Sequence, residues 1–472
     1  MPRAARGQAL ALAGVLALAA ALRFPTLGLQ SYWYDEAATV SVVGGSLAHA
    51  LSRISGVEGN PPLYYLLAWV WARAFGTGEV ALRSLSALAG TALVGVCFAV
   101  GRRIGGQRAG IATAALVATA PFLVWFSQEA RAYSLLALLV ALALLSLLRG
   151  STVGWALCSA LALATHYFAA LFVVPMALWL LLEDRTSVAR RWAVASVAIV
   201  GAALLQLAIH QHQAARGSIV GAFGTRALQL PKQLLVGYNF PGDRELAVIV
   251  GILVAAGIWW ALRRAASRDV RLLLALAAAA FGLVALLAAV SLDYLDTRNM
   301  IALDILGAAV AGAGFATAGR AGAAAVLVLC VLGTGAVIRV NTDVASQRDD
   351  WRGAVAALGS AQLPRAIVAT PLQGRLPLAL YLHHVQPLLG ATADVAEIDL
   401  IGMAKRATGE RPHPPAPTPV APPAGFTLIA IDRTAQYTVA RYRATSVEAV
   451  PTESITALRL GVPPAVDYLQ TP

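Results

Sequence analysis

Apolar runs long enough to cross a membrane recur along this chain from residue 7 to about residue 338. In hydrocarbon a spanning segment must satisfy its own backbone N–H and C=O groups, so repeated runs of this length fold as a helical bundle. Composition agrees. Of 472 residues, 58% are hydrophobic and 13% are charged, and mean hydropathy is +0.70; a soluble globular chain carries about 25% charged residues. The net charge of +12 is mostly arginine at the ends of the apolar runs, where it suits topology and anionic headgroups. No basic patch interleaved with aromatics is present, so no nucleic-acid partner is expected. Cys97, Cys158 and Cys330 fall inside apolar runs and imply no disulfide framework.

Arginine clusters set the order of the spans. Arg3/Arg6, Arg102/Arg103/Arg108, Arg149, Arg185/Arg190/Arg191, Arg263/Arg264/Arg268/Arg271 and Arg320 are assigned to the cytoplasm, so successive clusters need an even number of spans between them. Between Arg6 and Arg102 lie three apolar candidates, 7–22, 63–75 and 83–100. The middle one, LYYLLAWVWARAF, is shorter than the ~20 residues a span needs and reads as an amphipathic helix on the outer surface. Residues 23–82 are then outside. Further spans are expected near 110–126, 133–148, 152–164, 167–182, 192–209, 246–262, 272–291, 299–317 and 321–338, about eleven in all for a multi-pass protein of the cell membrane. They put 127–132, Thr165–His166, 210–245 and 292–298 on the extracytoplasmic face and deliver the tail there. The first run has the basic start of a signal peptide but no small-residue cleavage site, and reads as a retained helix.

From residue 340 ordinary polarity returns. Asp349–Leu358 predicts a helix; Ala366–Thr370, Thr427–Asp432 and Tyr437–Arg443 predict strands by alternation and β-branched content. The Pro-rich stretch Arg411–Pro423 reads as a loop or linker. The expectation is a transmembrane domain over 1–339 and a small extracytoplasmic α/β domain over 340–472.

Polar groups that are costly at a membrane gather on the outer side of this layout. SYWYDEAATV sets Asp35 and Glu36 behind three aromatics just past the first span. SQEARAY supplies Gln128, Glu129, Arg131 and Tyr133; THY supplies Thr165, His166 and Tyr167; SLDYLDTR supplies Asp293, Tyr294, Asp296 and Arg298. Asn60–Pro61–Pro62 stops one segment and starts the surface helix. Asp304 is the main charge inside a span. Plainer readings exist: solvated loop acids, a Glu129–Arg131 pair in a tight turn, an interfacial Arg298 or His166. The His210/His212 pair suits a metal by spacing alone. Together the clusters favour a site at the outer face. The alternative is a transporter or flippase of lipid-linked saccharides, which would want ionisable groups near mid-bilayer and inverted repeats that this sequence lacks.

The run from Leu27 to Leu148 resembles the family 39-like membrane glycosyltransferases of the GT-C superfamily, which include protein O-mannosyltransferases and aminoarabinose transferases. The resemblance rests on WYDEAATV, GNPPLYYLLAWVWARAFGTGEVALRSLSALAG, VGRRIGGQRAG and PFLVWFSQEARAYSLL, with THYFAALFVV and DDWRGAVAAL farther on. It implies a GT-C-like bundle, a polyprenyl-phosphate-linked sugar donor drawn from membrane lipid, and inverting transfer to an extracytoplasmic protein, lipid or cell-wall glycan. It implies a catalytic acid at Asp35, in a D-E motif with Glu36, and a second at Glu129. Arg298 maps onto the family's late-span arginine, although Asn299–Met300 replaces the Tyr-Leu-like run that usually follows. Arg131, Tyr133, His166, Tyr167 and Asn60 join it as substrate-binding candidates. Divalent metal is open: Asp35 and Glu129 could share a cation, but no closed ligand set is evident. Elementary chemistry fits. A carboxylate takes the proton of an attacking hydroxyl, arginine holds a departing phosphate, and a single displacement needs one base, not the two carboxylates of a retaining glycosidase.

Overall fold

Glycine and proline decide where the helices break. The computed structural model describes residues 3–56, 58–211, 221–237, 242–382, 384–404, 422–461 and 464–472. Helix α1 (Arg3–Arg23) is followed by α2 (Tyr34–Val43), α3 (Leu47–Gly56) and α4 (Leu63–Phe75). The last coincides with the expected surface helix. Pro62 stands at its N-terminal edge and Gly76, at φ 87°, ends it. Its indoles are tied down: Trp69 Nε1 donates to Gly45 O at 3.1 Å and Trp71 Nε1 to Ala81 O at 2.9 Å.

Helix α5 (Glu79–Thr119) runs through the basic Arg102–Arg108 stretch, where a loop between two spans is expected. It is kinked there. Gly105 and Gly106 leave helical geometry, and Gly106 has φ 78°, which glycine adopts without a Cβ clash. Pro121 supplies the next break. The residue before a proline is pushed to extended geometry; Ala120 has φ −62° and ψ 115°, and α6 (Pro121–Ser127) restarts with the proline in its first turn. The expected span 110–126 is therefore two pieces.

Next come α7 (Tyr133–Leu148), α8 (Thr152–Thr165), α9 (Ala170–Glu183), α10 (Val188–Gln211), α11 (Phe223–Val236), α12 (Asp243–Arg264), α13 (Arg268–Ala289), α14 (Ala302–Thr317) and α15 (Gly319–Thr342). Helix α11 occupies part of what the sequence suggests is a plain loop, 210–245. His212 and most of the Pro-rich stretch lie outside the described residues. Among the described residues six helices are long and apolar enough to cross a membrane: Arg6–Arg23, α5, α10, α12, α13 and α15. Helices α7, α8 and α14 and the segment Tyr167–Glu183 are shorter apolar helices.

The chain forms two compact units. The first comprises Met1–Leu27, Val42–Tyr238 and Gly242–Ile338. In it α5 packs against α1, α7 and α14, and α12 against α14. Small residues permit the close approach that membrane helices use: a methyl group on Gly314 would collide with the Gly257 carbonyl, and one on Gly312 with Thr113. Leu93, Phe122, Leu136, Trp155, Leu273 and Ile305 belong to its core.

The second unit comprises Gly28–Ser41 and Arg339–Pro472. The acid motif after the first helix thus groups with the tail. The unit holds a sheet of β1 (Arg365–Thr370), β2 (Val385–Pro387), β3 (Thr392–Met403), β4 (Thr427–Arg433), β5 (Tyr437–Pro451) and β6 (Val466–Gln470), ordered β2-β6-β1-β3-β5-β4. The β1–β3 pair is parallel and the other pairs antiparallel. Central β1 is buried along its length, as expected of a strand covered on both faces. Ala366 and Val368 join a core with Ile455 and Leu458; Ile367 and Ala369 join another with Trp351, Leu358 and Leu378. Helices α16 (Trp351–Leu358), α17 (Arg375–Tyr381) and α18 (Thr452–Ala457) supply these covers. The three expected strands are present, β5 extended to Pro451; β2, β3 and β6 are additional.

Candidate active site

The tip after α6 carries Glu129 and Arg131, and its position follows from the Ala120–Pro121 break. Where α5 ends, its last carbonyls lack helical partners. The Arg23 guanidinium, fully buried, donates to Ala118 O at 2.8 Å and to Ser127 Oγ at 3.2 Å. Gln128 Nε2 reaches back to Leu22 O at 3.1 Å and Thr26 Oγ1 at 2.6 Å. These bonds pin the tip to the end of α1 and leave Glu129 fully buried.

Arg131 leads to partners that were not evident in the sequence. Its Nη1 donates to Tyr65 Oη at 3.0 Å, and Tyr65 Oη donates to Glu58 Oε2 at 2.6 Å. Arg131 Nη1 also lies 3.9 Å from Glu58 Oε2. All three side chains are buried. Burial first, and the Glu58 carboxylate in addition, hold the Tyr65 phenol well above its ordinary range despite the Arg131 charge and Asn60. Tyr65 is therefore a neutral bridge, not a phenolate base.

Around the same tip runs a ladder of rings. The Arg298 guanidinium lies 5.9 Å from the Tyr133 ring centre. Tyr133 meets His166 at 5.2 Å, His166 meets Phe168 at 5.4 Å, and Phe168 meets Tyr294 at 5.4 Å. His166 sits at the break after α8 with φ −158°, and its Nδ1 accepts from Phe168 N at 3.3 Å. Burial, then the positive charges of Arg131 and Arg298, push His166 down to about 3, so the imidazole is neutral. The next residue turns elsewhere: Tyr167 Oη donates to Gln211 Oε1 at 2.7 Å, and Gln211 Nε2 donates to Asn60 O at 3.3 Å.

The first unit thus brings Arg131, Tyr133, His166 and Arg298 into one electrostatic neighbourhood and links Asn60 to Tyr167 through Gln211. Glu58, Tyr65, Gln211 and Phe168 are the partners that sequence reasoning missed. The only signal for Glu58, Tyr65 and Phe168 was their place inside GNPPLYY and THYFAA, or beside them, and for Gln211 its place between His210 and His212.

Acids and bases on the later loops are matched to each other. Asp296 caps the turn before α14, its carboxylate accepting from Arg298 N at 3.1 Å and Arg298 Nε at 3.0 Å. Arg226 donates to Asp293 and Leu295 O, and its hydrogen bond holds the Asp293 carboxyl below the usual range. Lys232 Nζ donates to Asp243 Oδ2 at 2.6 Å.

Asp35 and Glu36 lie in the first turn of α2, where the helix dipole favours negative charge. Glu36 is fully buried and Asp35 is half-buried. Their segment belongs to the second unit, whereas the other sequence-predicted site residues belong to the first.

A cavity of about 320 Å³ opens in the first unit among α5, α6, α11, α12, α14 and α15, with Leu116, Leu123, Leu234, Val250, Ala311 and Leu332 among its apolar walls. Asp304 also lines it, and its Oδ2 has no hydrogen-bond partner among the described residues. Among the described residues no group of three or more His, Cys, Asp or Glu could hold a metal ion.

Residues 59–209 match the family model described as dolichyl-phosphate-mannose-protein mannosyltransferase. Among solved structures, the chain is similar to ArnT from Cupriavidus metallidurans bound to undecaprenyl phosphate. The TM-score is 0.50 at 17% identity, over 73% of this chain and 66% of that one. It is also similar to the oligosaccharyltransferase of Archaeoglobus fulgidus in the apo form, with TM-score 0.50 at 11% identity, over 75% of this chain and 58% of that one. The chain therefore spans less than two thirds of the length of either. No curated protein matches it. Its apolar helical bundle with a small C-terminal sheet shares the fold of these two solved structures, and residues 59–209 match the mannosyltransferase family model.

Proposed function

We propose that this protein is an inverting glycosyltransferase that moves a sugar from a polyprenyl-phosphate carrier to an acceptor hydroxyl outside the cytoplasm. The observation that carries this reading is the convergence of Arg131 and Arg298 on the neutral His166 beside Tyr133, three of these four within the segment that matches the mannosyltransferase family. Two guanidiniums beside an uncharged ring, at the outer tips of a membrane bundle, suit a lipid-borne phosphate. The ArnT structure holds undecaprenyl phosphate, a carrier of this chemistry. The apolar cavity beside α11 and α14 suits a prenyl tail.

In the proposed reaction the acceptor oxygen attacks the anomeric carbon from the face opposite the phosphate. The carbon–oxygen bond to phosphate breaks, and its electron pair leaves with the carrier. Asp35 takes the hydroxyl proton as general base. Arg298, with Arg131, holds the charge that develops on the phosphate. Glu129 is the second acid of the site, and Tyr133, His166, Tyr167 and Asn60 shape it. Glu36, buried beside Asp35, supports the helix turn that carries it. The outer tips and the tail lie on the extracytoplasmic side in this reading.

The test is transfer from a radiolabelled polyprenyl-phosphate sugar in purified, lipid-reconstituted protein. Asp35→Asn keeps shape but cannot take the proton, and loss of a general base costs about 10²–10⁴-fold in rate. Glu36→Gln should cost less. Normal transfer by Asp35→Asn would remove the base from this reading.

A further inference from the structure

The acid motif does not hang free after the first helix. Residues 28–41 are bonded into the C-terminal unit across more than three hundred positions of sequence. Gln30 Oε1 accepts from Arg348 N at 2.8 Å. Ser31 Oγ donates to Asp349 O at 2.9 Å and accepts from Trp351 N at 3.1 Å. Tyr32 N donates to Tyr381 Oη at 2.7 Å. Arg352 Nη2 donates to Gly28 O and to Leu29 O, each at 3.2 Å.

The receiving surface is rigid for reasons of its own. Asp350 caps α16, its Oδ1 accepting from Gly353 N at 2.9 Å. Trp351 is 1% exposed in the core beneath β1. Ser31 and Tyr32 are themselves buried, at 2% each. One hydroxyl thus serves two positions at the start of α16, as donor to the Asp349 carbonyl and acceptor from the Trp351 amide, and the helix carrying Asp35 begins three residues later, at Tyr34.

We propose that the C-terminal domain holds the Asp35 helix in its working position, with Ser31 and Tyr381 as positioning residues for that acid. The proposal rests on the reading of Asp35 as general base. A base must lie within about 3 Å of the oxygen whose proton it takes, and a misplacement near 1 Å can cost about 10²-fold in rate. A motif held only by the end of α1 would have that latitude; one clamped at Gln30, Ser31 and Tyr32 does not. The same bonds give the DDWRGAVAAL segment, far from the acid motif in sequence, a reason to accompany it.

The experiment uses the full-length reconstituted protein with Ser31→Ala, Ser31→Thr, Tyr381→Phe and Asp35→Asn. Hydrogen exchange over residues 28–41 reads the clamp directly, without activity. Exchange there should rise in Ser31→Ala and Tyr381→Phe and return toward wild type in Ser31→Thr. Transfer by the first two should lose kcat by roughly tenfold or more with donor KM little changed, and Ser31→Thr should recover it. Unchanged exchange in both variants would overturn the clamp. Raised exchange with normal kcat, in a protein that Asp35→Asn inactivates, would overturn the positioning role alone. Normal transfer by Asp35→Asn would overturn the base assignment, while exchange would still report the clamp.

Discussion

The Tyr65 hydroxyl donates to Glu58 Oε2 at 2.6 Å. It accepts from Arg131 Nη1 at the same time, so a single neutral oxygen joins a buried acid to a buried base. Arg131 is thereby held from the side of the surface helix, while Ser86 Oγ donates to its backbone carbonyl at 3.2 Å. This arrangement fixes where the guanidinium points.

Tyr65→Phe keeps the ring and removes the bridge, depriving Glu58 and Arg131 each of one buried partner. Such a loss costs about 1–3 kcal/mol. Thermal unfolding in detergent should show that destabilisation, and donor KM should rise. Wild-type melting and kinetics together would show that the bridge holds nothing in place.

Arg298 carries the second cation. Its Nε is bonded to Asp296, and its planar group lies over Tyr133. Arg298→Lys keeps the charge but loses the fork and the stacking. Binding of undecaprenyl phosphate, followed by native mass spectrometry, should weaken about tenfold in Arg298→Lys and further in Arg298→Ala, in line with about 1.5–3 kcal/mol for hydrogen bonds to charged groups. Equal binding by all three proteins would place the phosphate elsewhere.

The proposed sidedness has a direct readout. Ser360 is exposed just after α16. In a background without the three native cysteines, Ser360→Cys should react with a membrane-impermeant thiol reagent in intact cells. Labelling only after lysis would put the tail in the cytoplasm.

Asp399 gives the tail domain a pH dependence. Burial and the Glu397 carboxylate push it up to about 7, against the pull of Arg365 and Arg441. The unfolded chain releases this proton near 3.8, so between those values the folded protein holds a proton that the unfolded chain has lost. The contribution of this group to stability is therefore greatest below the unfolded value and falls as pH rises toward 7. Amide protection of β1 and β3, corrected for intrinsic exchange, should decline from about pH 5 to about pH 8, and Asp399→Asn should flatten that slope. A slope that survives the substitution would belong to another group.

The sequence by itself determined the membrane class and the helix over 63–75. Apolar run length and arginine placement are local quantities, and the cost of polar backbone in hydrocarbon acts on each segment alone. It also marked Arg131, Tyr133, His166 and Arg298, because charged or polar groups at span ends stand out against an apolar chain. Only the tertiary structure decided their partners. Glu58 and Tyr65 carry no local sign that they meet Arg131, since a buried acid is distinguished by what it bonds to. Strand β3 was hidden for the same reason. On it Glu397 Oε2 lies 2.6 Å from Arg443 Nη2 and Asp399 Oδ2 lies 3.1 Å from Arg365 Nη1, each arginine arriving from a neighbouring strand. The attachment of the Asp35 motif to the tail was equally invisible. In each of its hydrogen bonds, across more than three hundred residues, one partner is a backbone amide or carbonyl, and backbone groups are the same in every sequence.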